Sequence, residues 1–254
     1  MVLEHGLEAC DVRRLKYVSL FANGLEVCDS RLRAATPVAI PASNRIPLIR
    51  QFLTDVESSP MPESLHIWYL ASGRRTPSSR YRVFPFARHL QQRGHHCTVS
   101  NSFPEKYDHF RMLGWTNSRR LKRLVRRWHL WQIARSQPDV VVLERELFDE
   151  PTWEFEQQLR QNVKCLILDI DDAVFLRYPD KFTALARMCD GLIVGNDRLK
   201  EHFAPMNQRI VVIPTCVDAE QYPSRPDTDP NRSTIRIGWI GTPVNLTELQ
   251  LVAP

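Results

Sequence analysis

The sequence predicts an α/β protein built on a parallel sheet with helices on both faces. Short unbroken apolar runs, such as 140–143 and 165–168, are bounded by polar residues, which is typical of strands buried on both faces. Segments with apolar residues at helical spacing lie between these runs, and carboxylates follow them directly, as at Asp169. Strands that alternate with helices along the chain favour a doubly wound parallel sheet. No repeat of solenoid period is present.

The first predicted unit is a strand, a helix and a second strand. Val83, Phe86 and Leu90 recur at helical spacing. Pro85 suits the first turn of this helix, because a proline there gives up no hydrogen bond, and Gly94 suits its C-terminal end. The unit comprises a strand at 65–71, a polar loop at 72–79, the helix at 80–94 and a strand at 96–99.

The remaining elements continue the same alternation. Pro138 and Asp139 lead into a buried strand, and Asn196 is placed to cap a short helix that carries Leu199 and Phe203. In chain order we predict a helix at 119–134, a strand at 140–143, a helix at 151–161, a strand at 163–168, a helix at 181–189, a strand at 192–194, the short helix and a strand at 210–213. Together with the first unit, these elements predict a Rossmann-like domain from 64 to 218.

The sequence on either side of this domain has a different character. Residues 1–63 contain weak apolar segments and no usable motif, which indicates an N-terminal extension. Residues 219–233 are polar and rich in proline, as interdomain linkers are. A new strand at 235–240, a tight turn and a helix start at Asn245 follow. We expect residues 234–254 to be the start of a second Rossmann-like domain that is truncated.

Composition and charge indicate an ordinary globular protein. Hydrophobic residues make up 43% of the 254 positions and charged residues 25%, which allows a sizeable core. The net charge of +5 is too small to imply a nucleic-acid partner, and no nucleic-acid-binding motif supports one. The six cysteines show no CxxC pairing, so Cys97 and Cys165 are expected to be buried thiols. Without a signal peptide or a run of transmembrane length, we expect a soluble cytoplasmic protein.

Several segments, taken in order, resemble one enzyme family. The resemblance is carried by SGRRTPSSRYRV at 72–83, PDVVVLER at 138–145, CDGLIVGNDRLKEHF at 189–203, VVIPTCVDAEQYP at 211–223 and IRIGWIGTPVNLTEL at 235–249. Together they resemble the N-terminal half and the interdomain crossing of retaining glycosyltransferases of family 4, which have the GT-B fold of two facing Rossmann-like domains. The resemblance implies transfer of a sugar from a nucleotide-sugar donor to a glycan or lipid-linked acceptor, with the acceptor bound mostly by the N-terminal domain.

The turn at Gly238, Gly241, Thr242 and Asn245 is the candidate donor site. Glycines and a capping residue at a strand-to-helix turn let backbone N–H groups approach a phosphate. The resemblance places this loop, with Gly241, Thr242 and Asn245, against the donor phosphates, and it implies no cofactor beyond the nucleotide-sugar substrate. A plain tight turn is the alternative.

Arginines after the first strand are candidate ligands for a diphosphate or an anionic acceptor. Guanidinium groups bind such anions with paired hydrogen bonds, although surface arginines are often only solvated. This candidate acceptor or phosphate site consists of Arg74, Arg75, Arg80, Arg82 and Asn196.

Asp169, Asp171 and Asp172 follow the central predicted strand, where ligands bind in open α/β sheets. The resemblance places them near the acceptor, where a carboxylate orients sugar hydroxyls or accepts a proton. A capping or loop-stabilising role is the alternative. Many family members have a histidine near this position, and this chain has none. The resemblance implies no metal, and it places the catalytic glutamate pair beyond Pro254, so we expect this chain to be inactive alone.

The segment from 119 to 134 reads as a basic amphipathic helix. Tryptophans among arginines are typical of helices that lie on anionic lipid, so the helix is a candidate for peripheral contact with the inner face of a membrane. The alternative is a solvated helix that packs its Leu121, Leu124 and Trp128 side on the domain. The candidate membrane-contacting cations are Arg119, Arg120, Lys122, Arg123, Arg126 and Arg127.

Two other functions remain open. The stretch LILDIDDAVF resembles the first motif of haloacid-dehalogenase-type phosphatases, which implies Asp169 as nucleophile, Asp171 as general acid/base and Mg²⁺ between them. That motif normally has a small pair after the second aspartate, and here Asp172 and Ala173 follow it. A non-catalytic binding module or truncated remnant is the third possibility.

Overall fold

The computed structural model of the protein describes residues 64–217 and Gly238. The chain divides into two units between Val217 and Asp218, and residues 64–217 belong to the first. The predictions for 1–63, for the linker at 219–233 and, apart from Gly238, for 234–254 lie outside the described residues.

The described residues form a six-stranded sheet in which every pairing is parallel, as predicted. The strand order is β2-β1-β3-β4-β5-β6. The strands are β1 His66–Ala71, β2 His96–Asn101, β3 Val140–Glu144, β4 Leu166–Ile170, β5 Gly191–Val194 and β6 Ile210–Val212.

Helices cover both faces of this sheet. One core contains side chains of α1 packed on strand residues such as Tyr69 and Val142, and the other contains side chains of α2 to α5 packed on residues such as Leu70 and Leu168. The helices of the described residues are α1 Phe84–Gln92, α2 Gly114–Ser136, α3 Glu154–Gln161, α4 Pro179–Met188 and α5 Asp197–Phe203, with a 3₁₀ turn at Val174–Leu176. The predicted Rossmann-like α/β architecture is confirmed.

The helix after β1 starts earlier than predicted and is not regular. Residues 77–92 are helical throughout, and Ser79–Val83 form a π-helical turn immediately before α1. Phe84 N donates to the carbonyl of Ser79, five residues back, and Pro85 has no N–H to donate. A wider turn next to a proline is a usual way for a helix to continue through the missing hydrogen bond. The predicted terminator is confirmed, because the helix stops before Gly94, which has a positive φ of 88°.

Two element boundaries differ from the prediction in ways that affect the site. β4 covers 166–170 instead of 163–168, so Asp169 lies inside the strand, opposite Glu144 of β3. The long helix α2 begins at Gly114, five residues before the predicted start at Arg119. The error in β4 arose because a charged residue, Asp169, is buried inside the strand, which a hydrophobic pattern cannot reveal.

The strand order reverses between β1 and β3. From β1 the chain goes outward to β2, and from β3 it goes outward the other way through β4, β5 and β6. The loops that leave β1 and β3 therefore diverge, and in sheets of this type the crevice between them is the usual ligand site. Here the crevice is bordered by Ser72, after β1, and by the segment that follows Glu144.

Candidate functional site

Asp169 is buried in β4 and paired with Arg82, which lies in the π-helical turn. Arg82 Nε lies 3.0 Å from each carboxylate oxygen of Asp169, and Nη2 lies 2.5 Å from Oδ1. Burial raises the pKa of Asp169 above its ordinary value, and Arg82 opposes that rise. The Nη1 group of Arg82 donates to the carbonyl of Ile213 at 2.9 Å and to Thr215 Oγ1 at 3.3 Å. One guanidinium thus joins the start of the first helix, the central strand and the segment after β6.

This pairing bears on the roles that the sequence suggests for Asp169. Its side chain is 6% exposed and that of Arg82 is 2% exposed, and both carboxylate oxygens face the guanidinium. A nucleophile or a ligand for a sugar hydroxyl needs a lone pair open to the substrate. The geometry therefore favours a structural role for Asp169 over a nucleophilic one.

Asp171 and Asp172 lie just beyond β4 and share one partner, Arg145. Arg145 Nε and Nη2 lie 2.9 and 2.7 Å from Asp171 Oδ1, and Nη2 lies 2.7 Å from Asp172 Oδ2. Burial lowers the pKa of Arg145, but the two carboxylates prevail and raise it above its ordinary value. Asp172 is the exposed member, with 53% of its side chain accessible. Of the three aspartates, it is the one open to a ligand.

The backbone around this second cluster is tightly constrained. Arg145 adopts a left-handed conformation with φ of 58°, which costs an ordinary residue about 1 kcal/mol and recurs at functional sites. A Cβ at Gly195 would lie 2.7 Å from the carbonyl oxygen of Asp171, so the loop after β5 approaches this carbonyl more closely than any side chain would allow. The Arg145–Asp171 pair is therefore held from both neighbouring strands.

Glu144, at the end of β3, organises the loop after β1 and was not singled out by the sequence. Its carboxylate accepts from Ser72 N at 3.0 Å, from Ser79 Oγ at 2.5 Å and from the hydroxyl of Ser78. Glu144 is 2% exposed, so these three donors replace the water it has lost. The signal that could have found it is a glutamate at the end of an otherwise apolar strand.

The other predicted arginines of this loop do not reach the buried cluster. Arg74 and Arg80 are exposed, and Arg75, 77% exposed, pairs with Glu105 and Asp108 on the loop after β2. Asn196 is the N-cap of α5, where its Oδ1 accepts from Leu199 N at 3.0 Å, as the capping prediction states. The candidate donor residues Gly241, Thr242 and Asn245 lie outside the described residues.

The basic helix α2 is oriented differently from either prediction. Lys122 and Arg126 are 8% and 1% exposed, so these two cations cannot contact a membrane, and the prediction is corrected for them. Arg119 and Arg123 remain partly exposed and pair with Glu150 at 2.7 and 2.9 Å. Arg120 and Arg127 are exposed as predicted.

The face of α2 that packs on the domain is polar. Leu124 and Trp128, predicted to be buried, are 59% and 54% exposed. The buried positions are instead Ser118, Lys122, Arg126, His129 and Ile133. This face is polar because it contacts backbone carbonyl groups. Arg126 donates to the carbonyls of Ala71 and Ser100 at the ends of β1 and β2, and Lys122 donates to the carbonyls of Lys106 and Asp108. Buried carbonyls need donors, and these cations supply them.

A cavity of about 690 Å³ opens beside the crevice between β1 and β3, and we name it the edge cavity. It lies between the loop after β2, the start of α2, the loop after β3 and the segment before α4. Its volume is within the range of small-molecule sites. Its lining residues are Lys106, Tyr107, Trp115, Thr116, Arg119, Lys122, Leu147, Phe148, Asp149, Glu150, Pro151, Arg177 and Tyr178.

Both carboxylates that line the edge cavity are paired with arginines. Asp149 accepts from Arg177 at 2.8 Å, and Glu150 accepts from Arg119 and Arg123. Burial raises the pKa of Glu150, but the two arginines prevail and hold it below its ordinary value. These ion pairs fix the carboxylates of one loop between α2 and the segment before α4. Sequence analysis named only Arg119 and Lys122 of this lining, and for a different role.

Residues 64–217 contain no group of three or more His, Cys, Asp or Glu side chains that could hold a metal ion. Within the same range, no helix is both long enough and apolar enough to cross a membrane.

Comparison with protein-family models, with curated proteins and with solved structures finds no match for this chain.

Proposed function

We propose that this chain is the acceptor-binding half of a glycosyltransferase of the two-domain GT-B type. In this function a sugar moves from a nucleotide-sugar donor to a glycan or lipid-linked acceptor. The observation that carries the proposal is the edge cavity, which lies at the carboxyl ends of parallel strands beside the reversal of strand order. Ligands of open α/β sheets bind at this position.

The lining of the edge cavity suits a sugar. Tyr107, Trp115 and Tyr178 offer aromatic faces, whose negative quadrupole attracts the weakly positive C–H groups of a sugar ring. Asp149 is already oriented by Arg177, and its carboxylate has lone pairs left for hydroxyl groups after this pairing. Polar groups that are held in place in this way can fix the orientation of a bound sugar.

The aspartates of the central strand take a supporting part in this proposal. Arg82 holds Asp169, and Arg145 holds Asp171 and Asp172, so both arginine clusters stiffen the edge of the sheet beside the proposed acceptor site. The chemical step, donor binding at Gly241, Thr242 and Asn245, and the catalytic glutamates implied by the resemblance all belong to the other domain of such an enzyme.

The test is an assay of nucleoside diphosphate release. The 254-residue chain and, where the reading frame continues beyond it, the full product are each incubated with nucleotide-sugars and with extracted glycans and lipids. We expect acceptor-dependent release by a protein that carries both domains and none by the 254-residue chain alone. Loss of this release in an Asp149→Asn variant, with unchanged melting, would place the acceptor in the edge cavity. No release from any donor by either protein would contradict the proposal, and Mg²⁺-dependent hydrolysis of a phosphate ester would favour the phosphatase instead.

We also propose that the exposed face of α2 contacts an anionic membrane surface, where lipid-linked acceptors are found. Leu124, Trp128 and Trp131 are each more than half exposed, and the two indole rings stack with centroids 5.1 Å apart. Arg120, Arg127 and Arg135 are exposed on the same helix. Tryptophan beside arginine is the combination that settles at a lipid headgroup layer.

Sedimentation with vesicles tests the membrane contact. The protein is mixed with vesicles of phosphatidylglycerol and phosphatidylcholine, and with vesicles of phosphatidylcholine alone. We expect binding to the anionic vesicles and at least a roughly tenfold loss in an Arg120→Gln/Arg127→Gln variant, because each cation near the surface contributes about 1 kcal/mol. The matched control is Arg187→Gln/Arg198→Gln, which removes two exposed charges from α4 and α5. Equal binding by both variants would refute the assignment to α2.

A further inference from the structure

The ammonium group of Lys122 is a buried charge beside the edge cavity. Lys122 is 8% exposed, and its Nζ donates to the carbonyls of Lys106 and Asp108 at 2.7 and 2.5 Å. An ammonium group has three hydrogens to donate, so one is left after these two bonds. Among the described residues, no carboxylate lies within 4.0 Å of it to form a salt bridge. Lys122 therefore has one donor left and no ion pair. Burial lowers its pKa, and the carboxylates of Asp108 and Asp149, which favour the charged form from beyond salt-bridge distance, do not offset this effect.

Asp149, the cavity carboxylate that attracts Lys122, does so only from beyond salt-bridge distance. Lys106 pairs with Glu146 at 3.0 Å, and Asp149 and Glu150 are paired with arginines. Four cations and two carboxylates line the cavity, so the lining is positive when all are charged. A buried charge that lacks a counter-ion is costly, and an anion that enters the cavity relieves this cost.

The aromatic groups of the edge cavity are fixed in position. Trp115 is 63% exposed, and one face of its indole stacks on His109 with centroids 4.1 Å apart. The stacking leaves the opposite face of the indole available to a ligand. Tyr178 donates from its hydroxyl to the carbonyl of Asp149 at 3.4 Å, which holds its ring beside the loop after β3. The same cavity thus contains a flat apolar surface and a buried cation that forms no ion pair.

We propose that the edge cavity binds an anionic saccharide, a sugar ring that carries a carboxylate or a phosphate. The ring packs on Trp115, the hydroxyl groups donate to Asp149, and the anionic group pairs with Lys122 and the exposed arginines Arg119 and Arg177. As an acceptor subsite this assignment rests on the proposed glycosyltransferase function, and as a binding site it stands independently of it.

The experiment follows the indole N–H resonance of Trp115 in ¹⁵N-labelled protein, assigned with a Trp115→Phe variant. Glucose, glucuronate, glucose 6-phosphate and inorganic phosphate are titrated separately at constant ionic strength. We expect glucuronate and glucose 6-phosphate to shift this resonance at concentrations at least tenfold lower than glucose. Equal midpoints for glucose and the two charged sugars would overturn the proposal, and so would inorganic phosphate acting as strongly as the sugars.

Two variants test the cation. Lys122→Gln keeps donors for the two carbonyls but removes the charge, and it should reduce the preference for charged sugars to near one while glucose still binds. If Lys122→Gln does not fold, Arg177→Gln tests the same cationic site, because the side chain of Arg177 is 64% exposed. We expect this variant to reduce the preference for charged sugars over glucose by a smaller factor. Arg198→Gln is the control, because it removes an exposed charge that does not line the cavity. A preference that survives both Lys122→Gln and Arg177→Gln would overturn the proposal.

The two proposals fail in different ways. Sugar transfer without any preference for charged sugars would refute the proposal of an anionic saccharide site and would support the glycosyltransferase function. Preferential binding of charged sugars without nucleoside diphosphate release from any donor would support the anionic saccharide site and would refute the glycosyltransferase function.

Discussion

At the residue scale, the Arg82–Asp169 pair is the best-defined feature of the carboxyl edge. Both side chains are almost entirely withdrawn from water, and the guanidinium makes further hydrogen bonds to Ile213 and Thr215. A buried pair gains little over well-packed apolar side chains, but removal of one partner leaves an uncompensated charge. A substitution that removes only Arg82 or only Asp169 is therefore expected to lower the stability of the fold.

We expect Asp169→Asn to destabilise the protein strongly. The variant leaves Arg82 buried and charged, which costs about 3–5 kcal/mol, and thermal unfolding should shift down by on the order of 10 °C for a domain of this size. The double variant Arg82→Met/Asp169→Leu should recover part of the loss, because it removes both charges.

The control for this measurement is Glu201→Gln, at an exposed position of α5, which should change stability by less than about 0.5 kcal/mol. If Asp169→Asn melts at the temperature of the unsubstituted protein, the pair does not hold the edge of the sheet, and a role for Asp169 in ligand binding regains its place.

The same residues show how far the sequence could predict the site. Three carboxylates after a buried strand indicate the carboxyl edge of a parallel sheet, and the structure places Asp169, Asp171 and Asp172 there. Their partners were not predicted, because Arg82 lies 87 positions before Asp169 and has the same local context as the exposed Arg80. Pairing over such a distance is set by tertiary packing, which a pattern of single residues does not contain.

At the scale of elements, α2 shows what a hydrophobic pattern misses. The pattern offered two orientations, one with its cations on a membrane and one with the Leu121, Leu124 and Trp128 side on the domain. The structure instead exposes Leu124 and buries Lys122, Arg126 and His129. The helix crosses the ends of β1 and β2, where carbonyls need donors, and this local demand outweighs apolar burial. Strand and helix positions elsewhere were predicted well because their environment is apolar.

A pair of alanine substitutions on α2 tests this orientation. Ile133 is fully buried against the sheet, so Ile133→Ala should reduce the free energy of unfolding by about 2–4 kcal/mol. Leu124→Ala, on the exposed face, should change it by less than about 0.5 kcal/mol. Urea titrations followed by circular dichroism measure both. The reverse order of effects would show that the helix packs through its leucine and tryptophan face.

At the scale of the molecule, the two cores share one sheet. The accessibility of the cysteine thiols in these cores therefore measures the unfolding of the whole unit. Cys165 lies in the core under α1, and Cys189 lies in the core under α2 to α5. Cys97, in β2, belongs to the first of these cores, and burial raises its pKa to about 11. Burial also raises the pKa of Cys189. All three thiols are thus removed from reagent, and burial makes Cys97 and Cys189 poor in thiolate at neutral pH.

We expect these three thiols to react only when the unit unfolds. In a chain with Cys10, Cys28 and Cys216 replaced by Ser, an aromatic disulfide reagent at pH 8 should label none of them in buffer. Labelling should appear together with the loss of circular dichroism as urea is raised, because both cores depend on the same strands. Rapid labelling of any one thiol in buffer would show that one face of the sheet opens independently.

The hydrogen bonds from Arg82 to Ile213 and Thr215 have a mechanical consequence. These two acceptors lie where the described part of the chain leaves the sheet, whereas Asp169 lies in its middle. Tension on the departing chain is therefore transmitted by one guanidinium to the charge on the central strand. Because such coupling is reciprocal, a ligand that pulls Thr215 away alters the surroundings of Asp169, and a change at Asp169 loosens the anchorage of the departing chain. Arg82 therefore connects the central strand β4 to the segment in which the chain leaves the sheet after β6.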